Sequence, residues 1–434
     1  MLFIVLIILL IIAIMLSLRH DSNYANPIFI VLAVFAVGCI VAAANMVRWD
    51  FELSSESFLI ILSVLASWVM GCLVGENISI KTPRLSFRSK AQGGGYSFSL
   101  LNERNPSDLK ILVGTLIQLV LVGYYIAYYF RAVGGVSSMF FSILRDQMMT
   151  EEEVPFLIGH IILITRSIAM IFIYHCVKAI INREKINALK DLPPILIYFV
   201  LEIFGTSRSG FVYIGGYIAV MYLLLYYKKN GRSRQLAKRT RNTITKVAIV
   251  VVAAFILLGN LTGKTQYMGI IDMMSMYVGA PICNIQYYLE NSIQFVSPYF
   301  GAYTQPFLSS VQRALHVSGT ETTNLYYPFV KYGDTRGRTN IYSALVKPLI
   351  DYGFGGTIIF YFLCGLFIGA VYKRVLKEDC SKYRIIMYGY LAMPLFLFGL
   401  EYQIGNYWLA TRTIYVVVYT FILNKLFKGE LAYE

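Results

Sequence analysis

The side chains in this sequence best suited to chemistry are a few arginines and the polar residues beside them. Arg208 sits in GTSRSGF, residues 205–211, between two strongly apolar runs. Arg336 and Arg338 flank a glycine in KYGDTRGRTNIYSALVKPLIDYGFGG, residues 331–356, and Arg313 precedes them. A guanidinium is a fixed fork of donors that keeps its proton, so it suits a phosphate or diphosphate. Around Arg208, Thr206, Ser207 and Ser209 are candidate helix caps. A helix starting near Gly210 would add its unpaired N–H groups to the same anion site. In the later stretch Asn340 and Tyr342 supply polar support. Asp351 there, or His316 upstream, could take the proton from an attacking hydroxyl. Arg166, in ILITRSIAMIF, is costly in hydrocarbon and calls for a carboxylate partner, for which Glu202 is placed. A bland reading stands beside each: an arginine reaching for lipid head groups, a solvated loop, a structural histidine.

The elements that must hold these groups are membrane helices. The chain has 434 residues, 57% hydrophobic and 14% charged, with a mean hydropathy of +0.61. Soluble domains are roughly 25% charged. Apolar runs long enough to cross a hydrocarbon core of about 30 Å recur throughout. They fall near 1–18, 27–47, 57–75, 109–131, 156–180, 194–206, 210–227, 246–262, 354–373, 385–400 and 412–427. The first has no basic leader or small-residue cleavage site and reads as an uncleaved helix. The six cysteines are scattered without C-x-x-C or Cys/His spacing, so neither a disulfide framework nor a zinc site is supported, and no metal or cofactor is expected. The glycines at 93–95 lack the G-K-[ST] of a phosphate loop. The net charge of +14 is concentrated in particular loops, which marks topology and not nucleic-acid binding.

The most basic connection, residues 228–246, carries eight Lys/Arg and no acid, which places it in the cytoplasm. Alternating outward from it puts KEDCSKYR, NREKINALK, residues 81–104 and the C-terminus inside as well, and all are rich in Lys/Arg. The expected fold is all-α: a polytopic integral membrane helix bundle of about eleven transmembrane helices. Residues 1–262 would carry helices 1–8, and 263–350 a large folded extracytoplasmic loop containing short amphipathic helices. Residues 351–434 would carry helices 9–11 and the cytoplasmic C-terminus. The loop has ten tyrosines and, from Thr265 to Gln312, no Lys or Arg. That composition suits a folded segment at a membrane interface better than a linker.

This layout resembles the O-antigen and capsule repeat-unit polymerases, the Wzy family of bacterial membrane glycosyltransferases, of the GT-C-like polymerase/ligase type. The likeness is carried by the many-helix layout, GTSRSGF leading into a glycine-containing apolar helix, the late external loop, and TNIYSALVKPLIDYGFGGTIIFYFLCGLFIGAVY. The resemblance implies a metal-independent inverting transferase in the bacterial cytoplasmic (inner) membrane, its active site facing the periplasm. Donor and acceptor would both be undecaprenyl-diphosphate-linked oligosaccharides, with membrane lipids and a chain-length-regulating co-polymerase as further partners and no nucleic acid. Arg208, Arg336, Arg338, Arg166 and Arg313 would then meet the diphosphate. Some members carry paired R-x10-G motifs; here Arg208 is followed eleven positions on by Ala219 and Arg313 by Asn324, so that pattern is missing.

Three other readings compete. An O-antigen ligase would use the same donor with a different acceptor. A flippase for the lipid-linked unit would more often show repeat symmetry, and none stands out here. A transferase using a lipid-phosphate sugar would place acids in its first external loop, where Asp50, Glu52 and Glu56 lie in a short segment.

Overall fold

The computed structural model describes residues 1–78, 105–135, 140–150, 155–206, 208–231, 238–261, 269–315, 327–333, 338–377 and 380–428. Among the described residues, seven helices are long and apolar enough to cross a membrane: α1 (Leu2–His20), α2 (Pro27–Trp49), α3 (Ser55–Asn77), α4 (Asp108–Val133), α6 (Phe156–Asn182), α9 (Arg208–Asn230) and α14 (Val346–Leu376). Between α4 and α6 lies α5 (Phe140–Thr150). Their starts follow local rules. Asn26 caps α2 by accepting from the Ile28 N–H with Pro27 at the first helical position, and Ser54 caps α3 by accepting from Ser57. Large apolar side chains face outward, such as Ile4 and Met15 on α1, Leu116 and Val120 on α4, and Ile359 and Leu363 on α14. Such exposure is stable against lipid and not against water.

Four of the eleven expected spans are not among these seven helices. The run 194–206 becomes α8 (Leu192–Phe204), 13 residues, which reaches only about 20 Å. The run 246–262 lies in α10 (Lys238–Leu261), whose apolar part is Thr245–Leu257. The run 385–400 divides into α15 (Lys382–Ala392) and a 3-10 turn at Met393–Leu397, because Pro394 cannot donate to a continuing helix. The run 412–427 is α17 (Thr411–Leu426), 16 residues. Conversely, α14 starts eight residues before its expected beginning at 354 and is broken once, at Gly353, where φ is 64°.

Residues 269–345 are folded where described. They hold α11 (Ile270–Val278), α12 (Ala280–Glu290) and α13 (Pro306–Ala314), with a minimal hairpin of β1 (Val330–Lys331) and β2 (Arg338–Thr339). Remaining short helices are α7 (Lys185–Lys190) and α16 (Ile404–Trp408).

The tightest helix contact is α3 against α14. A Cβ on Gly71 would lie 2.2 Å from the Phe362 carbonyl and one on Gly75 2.2 Å from that of Leu366. Reciprocally, Gly365 and Gly369 would meet the Trp68 and Cys72 carbonyls at 2.5 and 2.4 Å. Small residues four apart on both helices let the backbones touch, the packing device that membranes favour.

Contacts sort the helix ends onto two faces. On one, Lys110 reaches the Lys428 carbonyl at 2.7 Å, Lys190 the carboxylate of Asp108 at 2.9 Å, and Lys228 the Lys377 carbonyl at 2.8 Å. This basic face also joins Asp21, after α1, to Tyr372 of α14. On the opposite face Arg48 pairs with Asp272 of α11, the Ser54 N–H donates to Gln286 of α12 at 2.8 Å, and Phe307 of α13 donates to the Leu409 carbonyl at 2.8 Å. This second face carries the folded segment and is called the loop face below.

Candidate functional site

A polar cavity of about 240 Å³ opens on the loop face. Lys347 and Glu401 line it with Asn340, Tyr342, Tyr327 and Gln403. Its position follows from two interruptions of helix. Lys347 lies in the first turn of α14, held by a backbone bond from the Ala344 N–H to the Phe398 carbonyl at 3.1 Å. Glu401 follows the turn in which the apolar run after Pro394 ends. Tyr327 and Tyr342 stack with ring centroids 4.3 Å apart and planes at 19°, forming an aromatic wall. Burial pushes the Glu401 carboxyl above the ordinary carboxylate range, while Gln403, Lys347 and Tyr213 beside it pull it back. Such a group, facing a cation in a cavity, is a candidate proton acceptor.

A charged seam leads inward from this cavity. Tyr213 stands next to Glu401 and packs on Tyr407 at 4.8 Å, and Arg166 lies over the Tyr407 ring at 5.7 Å. Arg166 donates its Nε–H to the Tyr198 hydroxyl at 2.8 Å and pairs with Glu202 at 3.7 Å, while Tyr198 donates to Glu202. The partnership of Arg166 with Glu202 expected from the sequence is therefore present, with Tyr198 as its bridge. Arg412 joins the seam beside Tyr407 and Arg166, its Nε–H donating to the Asn406 carbonyl at 2.9 Å. Along this seam Arg166 faces Glu202, Lys347 faces Glu401 and Asp351, and Arg412 lies beside Arg166, so guanidinium and ammonium groups that could meet a phosphate are gathered with carboxylates in one place.

Arg208 opens α9 and is buried, 6% exposed. Its guanidinium packs against the rings of Phe255 and Tyr277, at 5.2 and 5.1 Å, and donates to the Met273 sulfur at 3.2 Å. Phe255 and Tyr277 also line an apolar groove of about 320 Å³ whose walls include Val34, Val251 and Leu400. Two of the rings that Arg208 contacts therefore also line this hydrocarbon slot. Leu400 belongs to this groove and Glu401 to the polar cavity, so consecutive residues connect the two.

The other expected residues fall in different places. Asp351 accepts four hydrogen bonds: from Ser297 Oγ at 2.6 Å, the N–H groups of Tyr303 and Thr304 at 3.0 and 2.8 Å, and Thr304 Oγ1 at 2.7 Å. A carboxylate has about four lone-pair sites, so Asp351 is occupied in tying the loop to α14, and the geometry favours Glu401 over it as base. Arg338 is exposed on β2, opposite Lys331, and does not line the cavity, although Asn340 and Tyr342 do. Ser209 lies in the first turn of α9, after Thr206, which adopts a left-handed φ of 51°. His316, Arg336 and Ser207 lie outside the described residues, and Arg313 is in α13 with its side chain outside the description.

Sequence reasoning passed over Glu401 and Arg412. The signal was present: Glu401 is the only acid between Asp379 and Glu430 and directly follows an apolar run. Among the described residues no group of three or more His, Cys, Asp or Glu side chains could hold a metal ion. Comparisons with family models, characterised proteins and solved structures give no match, so the functional reading rests on this geometry and on the sequence.

Proposed function

We propose that this protein is a glycosyltransferase that polymerises lipid-linked oligosaccharide repeat units at the outer face of a bacterial cytoplasmic membrane, in the manner of the Wzy-type polymerases it resembles. The observation that carries this reading is the juxtaposition of an aromatic-walled polar cavity holding Glu401 and Lys347, a seam with Arg166 and Arg412, and an apolar groove two of whose lining rings contact Arg208. Sugars stack on tyrosine and bond to amide side chains, diphosphates take guanidinium and ammonium groups, and polyprenyl chains need hydrocarbon walls.

In the proposed reaction the acceptor hydroxyl loses its proton to Glu401 as its oxygen bonds to the anomeric carbon of the donor glycan. The bond from that carbon to the diphosphate oxygen breaks, and its electron pair leaves on the polyprenyl diphosphate. Attack opposite the leaving group inverts the anomeric centre. Lys347, Arg166, Arg412 and Arg208 stabilise the charge that grows on the diphosphate, so the chemistry needs no metal. Glu401 then releases its proton to solvent. Its raised affinity for protons suits a base that must also give the proton up.

The test is purified protein in lipid nanodiscs with one defined lipid-linked repeat unit and no nucleotide. A ladder of oligomers is expected, persisting in EDTA, and Glu401→Gln should slow it about 10²- to 10⁴-fold without loss of folded protein. An absent ladder with wild type, or full rate with E401Q, overturns the proposal. Transfer onto a different lipid acceptor without self-extension would identify a ligase instead. Movement of the unit across the bilayer without bond formation would identify a flippase.

A further inference from the structure

On the basic face a second cavity, of about 330 Å³, opens between the end of α6 and the short helix α7. Ile180, Ala188, Leu189 and Leu192 give it apolar walls, and Arg183 and Lys185 stand at its rim. Arg183 caps α6 with a left-handed φ of 68° and Lys185 opens α7, so ordered backbone carries both cations. Both side chains are exposed, and among the described residues neither enters an ion pair. Their neighbours are engaged: Lys190 binds Asp108, Lys229 reaches Asn182 at 3.0 Å, and Glu184 accepts from Asn187 at 2.8 Å.

What fills this cavity follows from its surroundings. Ile186 is 72% exposed and Leu189 65%, an arrangement stable where α7 lies in lipid. A slot with hydrocarbon walls at the membrane boundary, with two cations at its mouth, matches a lipid whose head group carries net negative charge. We propose that this cavity binds one anionic phospholipid, its phosphate held by Arg183 and Lys185 and an acyl chain laid along Ile180, Ala188 and Leu192. The site is separate from the loop face and does not rest on the transferase reading. Its consequence is mechanical. α7 leads directly into α8, which carries Tyr198 at its middle and Glu202 near its far end, so the lipid fixes the near end of the helix that positions the partners of Arg166.

Native mass spectrometry of full-length protein, delipidated in neutral detergent, tests this with phosphatidylglycerol and phosphatidylcholine as probes. Wild type should hold one phosphatidylglycerol roughly 10-fold or more tighter than phosphatidylcholine. Arg183→Gln with Lys185→Gln changes only exposed side chains and should erase that preference. Ala188→Leu leaves both cations and fills the slot; it should lose the bound phosphatidylglycerol while its lipid-free thermal midpoint shows that it folds. Equal affinity of wild type for the two lipids overturns the proposal. So does phosphatidylglycerol affinity unchanged in R183Q/K185Q, or unchanged in a folded A188L.

Discussion

Gly210 shows how one missing side chain sets the charge arrangement of the site. A Cβ there would lie 1.9 Å from Glu202 Oε2, so glycine makes room for that carboxylate, whose other oxygen meets Arg166 and Tyr198. Gly210→Ala should displace the Glu202 carboxylate and weaken its pairing with the partly buried Arg166 beside Tyr407. Breaking a buried pair costs about 3–5 kcal/mol, so a clear drop in thermal midpoint and in transfer rate is expected. Once Glu202→Ala has removed the clash, adding Gly210→Ala should cost little more, and a double-mutant cycle measures this; additive losses would refute the contact. The sequence made the Arg166–Glu202 partnership legible because each charge is costly alone in an apolar run. It did not show that Asp351 is saturated, because two of its donors are backbone N–H groups of Tyr303 and Thr304, nearly fifty residues away in the chain and without a local signature.

At the scale of elements, α8 is a short strut held at both ends by charge. At its start Asp191 is fully buried together with Lys178, Lys382 and His175, and Lys382 Nζ lies 2.8 Å from His175 Nε2. Among the described residues neither Asp191 carboxylate oxygen has a hydrogen-bond partner. Burial pushes this carboxyl up to about 7, with Lys178 and Lys382 pulling it down and Glu184 adding to the rise. The folded protein therefore binds more protons than the unfolded chain between about pH 4, the ordinary carboxylate value, and about pH 7. The contribution of Asp191 to stability is present at the acid end, falls as pH rises through that window, and is level above it. Relative to Asp191→Asn, wild type should lose thermal midpoint from pH 4 to 7 and then run parallel; a constant offset would refute this. The sequence marks 194–206 as an apolar run short for a full crossing, but not as a strut, since the partners of its two ends lie far off in the chain.

For the whole molecule, the contacts Lys190–Asp108, Lys110–Lys428 and Lys228–Lys377 bring together segments that the charge pattern assigns to one side. In a cysteine-free background, Phe300→Cys, at an exposed position on the loop face, should react with a membrane-impermeant maleimide on spheroplasts. Lys377→Cys, on the basic face, should react only after lysis, and the reverse pattern would invert the proposed orientation. The layout was legible because charge and hydropathy are sums over many residues. Full crossings and half-crossings were not, because helix breaks depend on single residues such as Pro394 and Gly353. The glycine contact between α3 and α14 limits how this machine can move. Carbonyls of each helix occupy the space where the other would carry Cβ atoms, so the two cannot slide or rotate past one another and serve as a rigid mast. The apolar groove draws its lining from α2, α9, α10, α11 and Phe396–Leu400 and none from this pair, so the mast stands apart from the slot.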